Sequence, residues 1–182
     1  IRGYRQRMSA LQKSAVTDAQ CNSFFAMLAE SDRPLIYAGG GVINGNGADA
    51  LRAFASDLGI PVVTTLMGIG AVDTQHPLAM SMLGMHGAAF ANYAVDDCDF
   101  LIALGARFDD RVAGVPERFA PNAKRIAHID VDASEINKVK RVHWSHVGLL
   151  PAALEALRAH AKQAGSGRDW SARRTHLDGL KR

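Results

Sequence analysis

The chain has 182 residues, 48% of them hydrophobic and 21% charged, with a formal net charge of +3. That length suits one domain with a tail, and that composition can bury a core. So small a net charge gives no reason to expect nucleic acid as a partner, and no apolar run approaches the ~20 residues that a membrane span needs.

In chain order, 17–31 is expected to be a helix opened by a Thr17-x-x-Gln20 cap. PLIYA (34–38) is a strand that closes on Gly39, Gly40 and Gly41. ADALRAFASDLG (48–59) has helical apolar spacing and a glycine stop. IPVVTTL (60–66) is a β-branched strand, and 88–98 is a helix. DFLIALG (99–105) and KRIAHIDVD (124–132) are further strands. DASEINKVK (132–140) opens like a helix with an Asp132 to Glu135 capping box. SHVGLL (145–150) is a weaker strand, and 151–163 is a helix with proline in its first turn. QAGSGRD (163–169) reads as a link, which places a domain at 1–165 and a linker or tail at 166–182. Basic residues gather in IRGYRQR and RDWSARRTHLDGLKR as solvated ends. The chain begins without methionine, at IRGYRQRMSA, shows no signal peptide, and reads as part of a longer polypeptide. Cys21 and Cys98 lie far apart in apolar surroundings, as expected of buried thiols in a reducing cytoplasm.

Continuous apolar strands alternating with helices imply an α/β, doubly wound, mainly parallel sheet with helices on both faces. Ligands of such sheets bind beyond the carboxyl ends of the strands. Gly39–Gly41 would let backbone amides approach an anion, or would simply make a turn. After the second strand, Thr65 offers a hydroxyl in a loop kept low by glycines; an ordinary connection fits equally well. In MLGMHGAAFANYA (82–94), Met85 and His86 could line a flat ring system, while a structural hydrogen bond is the commoner use of a lone histidine. In GARFDDR (105–111), Arg107 and Arg111 have the fork geometry that suits phosphate, with Asp109 and Asp110 holding them in place or capping the following turn. The alternative is a surface salt-bridge cluster. Asp130 closes its strand as an acceptor for a ribose hydroxyl, and Asp132 serves as a cap. His143 and His146 do not read as a zinc pair. A glycine or an acid thus closes each of four strands, which points to a dinucleotide or nucleotide-like cofactor. No Walker A lysine, GxSxG, metal-ligand cluster or nucleophile–base pair is present, so no catalytic residue is assigned.

RPLIYAGGGV, TTLMGIG, LGMHG-x-x-x-ANYAV-x-x-x-D, GARFDDRV-x-G and HIDVD-x-x-EI-x-K follow one another at familiar spacing. Together they resemble the central domain of the acetohydroxyacid synthase (acetolactate synthase) large subunit, a thiamine-diphosphate enzyme. The likeness runs from GYR, similar to the family's entry strand, to about residue 163. It implies a Rossmann-like domain that binds FAD through Gly40, Thr65 and Leu66, then Leu83, Gly84, Met85 and His86. Gly105, Ala106, Arg107, Phe108, Asp109, Asp110 and Arg111 would follow, then Asp130 and Val131. Where the family has Gly-Asp after the last strand, this chain has Gly148-Leu149, which removes one contact to the cofactor.

The resemblance implies the family's reaction, in which pyruvate is decarboxylated on thiamine diphosphate and joined to a second 2-keto acid for branched-chain amino-acid biosynthesis. FAD carries out no net redox chemistry in it. The catalytic glutamate belongs to an N-terminal domain, and the Mg2+ and diphosphate motif GDG…N to a C-terminal domain. The one Asp-Gly here, Asp178-Gly179, lacks the rest of that motif, so this chain is expected to be inactive alone. Those two thiamine-diphosphate-binding domains, further copies in a homo-oligomer and a regulatory subunit are the implied partners, without nucleic acid or membrane. The alternatives are the central domain of a pyruvate oxidase-like flavoenzyme and a stand-alone nucleotide-binding module.

Overall fold

Every residue of PLIYA is buried, as a strand covered on both faces requires. This is β1 (Pro34–Ala38). The computed structural model describes residues 3–109, 113–165 and 168–181. The other strands are β2 (Val62–Thr64), β3 (Ala79–Met82), β4 (Phe100–Leu104), β5 (Arg125–Asp130) and β6 (Trp144–Val147). They form one six-stranded sheet in the order β3-β2-β1-β4-β5-β6, and every pairing is parallel. The chain starts in the middle at β1, walks outward to β3, then crosses to β4 and walks the other way. The α/β doubly wound expectation holds.

The side-chain period of two sorts β1 between two cores. Ile36 and Ala38 face a cluster with Phe24, Phe54, Leu154 and Leu157. Leu35 and Tyr37 face a second with Ala91, Val95, Phe108 and Phe119. Helices α2 (Asp18–Ala29), α4 (Ala48–Leu58) and α6 (Leu150–Ala164) cover the first face, and α5 (Ala89–Asp97) and α7 (Ser171–Leu180) the second. The remaining helices are α1 (Tyr4–Lys13) and the short α3 (Gly40–Asn44).

Local chemistry explains most boundaries. Thr17 and Gln20 form the expected reciprocal capping box. Gly59 stops α4 in the left-handed region at φ 67. The strand expected at 60–66 is cut to three residues, because the Thr65 hydroxyl accepts from the Gly68 amide and starts a 3-10 turn. The helix expected from Asp132 is a single 3-10 turn, Ala133–Glu135. Asp132 accepts from the Ser134 amide and hydroxyl. Glu135 pairs with Lys138, and Asn137 turns left-handed at φ 61. The GYR stretch, an entry strand by resemblance, leads into α1 instead, whose YRQRMSALQK is rich in helix formers.

Two elements escaped the sequence pattern. β3, AMSM, has no β-branched residue, and its Ser81 sits at φ 64 beside a shift in register. Within the stretch expected as a linker or tail, α7 docks through Leu177 and through Arg173, which reaches Asp97 and the Ala94 carbonyl. Trp170, just before it, is buried in the opposite core. Cys21 and Cys98 are buried and unpaired. Burial pushes the Cys98 thiol up to about 12, so it stays protonated and unreactive. No helix among the described residues is long and apolar enough to cross a membrane.

Candidate functional site

The sheet does not end where its strands do. One further backbone hydrogen bond links each strand end to its neighbour. Leu83 N–H donates to the Thr64 carbonyl at 3.0 Å and Thr65 N–H to Ala38 at 2.9 Å. Gly39 N–H donates to Leu104 and Gly105 N–H to Ile129, both at 2.9 Å, and Gly148 N–H to Asp130 at 3.0 Å. This row brings the predicted segments 65–66, 83–86, 105–109 and 130–131 to one edge, centred on the β1/β4 crossover where open α/β sheets bind ligands. Because β3 precedes it, the LGMHG segment also follows a strand end.

The glycines of this edge serve loop-to-loop contact first. A Cβ on Gly39 would lie 2.3 Å from the Gly105 carbonyl oxygen, and one on Gly41 2.7 Å from the Gly105 Cα. Gly105 itself has φ +53. The reading of Gly39–Gly41 as an anion cradle is thus not needed to explain them, and α3 behind them has only five residues. Gly40 differs, since its Cβ would meet only the Met67 side chain and backbone.

Leu66, Met67 and Ile69 after β2, Met85 after β3 and Val131 after β5 are all large apolar side chains left exposed, Met85 at 79%. His86 is exposed beside Met85. Asn92 holds this loop in shape. Gly84 N–H donates to Asn92 Oδ1 at 2.8 Å, and Asn92 Nδ2 donates back to the Gly84 carbonyl at 3.1 Å. Gly84 accepts this because φ +102 costs glycine nothing. Asn92→Ala is expected to free the loop and to destabilise the chain by about 1–2 kcal/mol, the usual effect of removing a partner from such groups. Hydrogen exchange at the Gly84 amide, faster in the variant while β1 amides remain slow, checks it.

In the charged loop, Arg107 and Asp109 pair loosely at 3.8 Å, with side chains 68% and 45% exposed. So exposed a pair contributes little to stability. Asp110 and Arg111 lie outside the described residues. Ala106 and Phe108 alternate inward instead: both are buried, and Phe108 packs against Tyr37, Phe119 and His128. Leu83 is buried as well. These three can offer a ligand only backbone. The Tyr37 hydroxyl donates to the Arg107 carbonyl at 3.1 Å and ties the loop to the core. Burial, and then Asp109, push that hydroxyl's pKa up, so it remains a donor.

Asp130 ends β5 with its side chain 10% exposed. Burial pushes its carboxyl up, but the nearby His128 imidazole and the Asp132 amide, which donates to Oδ1, outweigh this and hold it below the usual range. It is an ionised acceptor at neutral pH. Leu149, where the resemblance leads one to expect an aspartate, is the N-cap of α6 and provides no side-chain hydrogen bond there. His143 Nδ1 accepts from the Ile126 amide, a structural role, and His146 is buried in β6. No group of three or more His, Cys, Asp or Glu that could hold a metal occurs among the described residues.

Sequence reasoning missed Asn92, Met67, Ile69 and Tyr37. An asparagine inside a helical pattern was a signal, since its side chain competes with the helix backbone. The model of the thiamine pyrophosphate enzyme central domain matches residues 21–157. The chain is 48% identical over 158 residues to acetolactate synthase 1, chloroplastic, of Oryza sativa subsp. japonica, covering 86% of this chain and 24% of that protein. It is 42% identical over 177 residues to acetolactate synthase 2, chloroplastic, of Nicotiana tabacum, covering 96% and 26%. It is 46% identical over 137 residues to the acetolactate synthase isozyme 2 large subunit of Escherichia coli (strain K12), covering 75% and 25%. The chain spans about a quarter of the length of these relatives.

Proposed function

Because this chain belongs to the thiamine pyrophosphate enzyme central-domain family, we propose that it is the FAD-binding central domain of an acetolactate synthase large subunit. The observation that carries this reading is the carboxyl edge itself: exposed apolar side chains, an exposed guanidinium and an ionised strand-end carboxylate, stitched together across the β1/β4 crossover.

The fit to a flavin dinucleotide is chemical. Arg107 would take the diphosphate, where a guanidinium can bind two oxygens at once. Leu66, Met85 and Val131 would contact flat ring surface, with Gly40, Thr65, Gly84, His86, Gly105 and Asp109 bordering it. Asp130 would accept from a ribose hydroxyl. Leu83, Ala106 and Phe108 would contribute through their backbone, and Asp110 and Arg111 would complete the charged loop. Bound FAD would act as a structural cofactor with no net redox role. Pyruvate decarboxylation and carboligation, on thiamine diphosphate and Mg2+, would be the work of flanking domains of the intact cytoplasmic enzyme. Further copies and a regulatory subunit would complete the assembly. The relatives are acetolactate synthases, which weighs for this reading over a pyruvate oxidase-like flavoenzyme.

Calorimetric titration of the chain with FAD, and in parallel with ADP, tests the reading. Saturable FAD binding, weakened at least about tenfold by Arg107→Ala as loss of a charge-assisted hydrogen bond implies, is the expected result. FAD binding untouched by that substitution would remove Arg107 from the site. No FAD binding at millimolar concentration would count against the chain as a self-sufficient cofactor domain.

A further inference from the structure

β5 carries an imidazole where the neighbouring positions are aliphatic. His128 is fully buried, paired in register with Ala103 on one side and Ser145 on the other. Neither ring nitrogen has a hydrogen-bond partner among the described residues. Phe108 stands edge-on to the ring at 5.4 Å. A buried polar group left unpaired is costly, and leucine would fill this space without that cost. Asp130 is the one carboxylate in ion-pair range of the imidazole among the described residues, two residues on and therefore on the same face of the strand. His128 Nε2 lies 3.8 Å from Asp130 Oδ2, within ion-pair range but beyond a hydrogen bond. The other carboxylate oxygen, Oδ1, accepts from the Asp132 amide at 2.9 Å.

We propose that His128 is a positioning residue for Asp130: its Nε2–H donates to Oδ2 and fixes the carboxylate in the orientation that receives a ribose hydroxyl. This rests on the reading of Asp130 as the acceptor of that hydroxyl. A carboxylate has about four acceptor positions, of which the Asp132 amide and His128 would occupy two. The rest stay open to a ligand. Without His128 the carboxylate is held at one oxygen only and can rotate about it. The imidazole therefore acts from behind the site and never meets the ligand.

Two measurements on the purified chain test this. The first is the preference for ADP over 2′,3′-dideoxy-ADP, which isolates the hydroxyl contribution. Asp130→Asn and His128→Leu are each expected to reduce that preference at least about tenfold, the effect of losing a hydrogen bond to a charged group. His128→Gln, whose amide nitrogen sits near the Nε2 position, is expected to restore most of it. A purely structural histidine would weaken both nucleotides together. If His128→Leu keeps the preference while Asp130→Asn loses it, the positioning role is overturned and the Asp130 reading survives. If Asp130→Asn also keeps it, both fall. The second measurement needs no ligand: the nitrogen NMR spectrum of the His128 ring. A single tautomer protonated at Nε2, shifted by Asp130→Asn, is expected. A ring protonated at Nδ1, or indifferent to Asp130→Asn, overturns the proposal.

Discussion

Gly39→Ala is expected to unfold much of the chain's margin of stability, by about 3 kcal/mol, the upper range for overpacking a close-packed site. The reason is geometric. The new methyl would lie 2.3 Å from the Gly105 carbonyl oxygen, 2.5 Å from the Ala106 Cα and 2.8 Å from its Cβ. Two of these are backbone atoms, which cannot rotate away. Relief requires that the loops after β1 and β4 part, and they are joined by the Gly39 to Leu104 and Gly41 to Gly105 hydrogen bonds. The damage is therefore expected to reach ligand binding at the crossover as well as folding. Gly179→Ala is the control: it lies within α7 with nothing near its Cβ. It should stabilise the chain by about 0.5–1 kcal/mol through helix propensity alone. Urea denaturation of the two variants, at equal denaturant slope, separates these outcomes; a Gly39→Ala midpoint equal to wild type would refute the packing account.

The second large effect lies at the opposite edge of the sheet. Asp99 is buried and accepts three hydrogen bonds at the turn that enters β1: Ser31 Oγ at 2.5 Å, Arg33 N–H at 2.9 Å and Asp32 N–H at 3.0 Å. Asp99→Ala leaves these donors without their acceptor and is expected to cost about 3 kcal/mol. Burial pushes the Asp99 carboxyl up, but the hydrogen bonds from Ser31, Asp32 and Arg33 outweigh it, so the net shift is downward. A carboxyl depressed on folding contributes stability that is fully present above its unfolded pKa of about 3.9. That stability is lost as pH falls through 3.9 towards the folded value. Wild type should therefore lose stability below about pH 4 more steeply than Asp99→Asn, which cannot titrate. Parallel acid profiles for the two would contradict the assignment.

The sheet was legible because its central strands are buried on both faces, and PLIYA and DFLIAL read as unbroken apolar runs. Helix ends were legible where side-chain chemistry is local, as at Thr17, Gln20 and Gly59. β3 was not, because an edge strand with a left-handed serine breaks the alternation that would announce it. α7 was not, because its docking depends on Arg173 meeting Asp97 across 76 positions, a pairing with no sequence period. The same holds at the site. Gly105, Arg107 and Asp130 could be placed at strand ends from the pattern alone. That Phe108 turns inward, that Asn92 clamps Gly84 and that His128 stands behind Asp130 are consequences of three-dimensional register.

A flavin nucleotide is proposed to bind along the carboxyl edge at the β1/β4 crossover. Hydrogen exchange of the chain with and without saturating FAD tests it most directly. Slowed exchange is expected in segments 65–69, 83–87, 105–109 and 130–131, with the 31–33 turn at the opposite edge unchanged. Protection centred on that turn, or no change anywhere at saturation, would contradict the account.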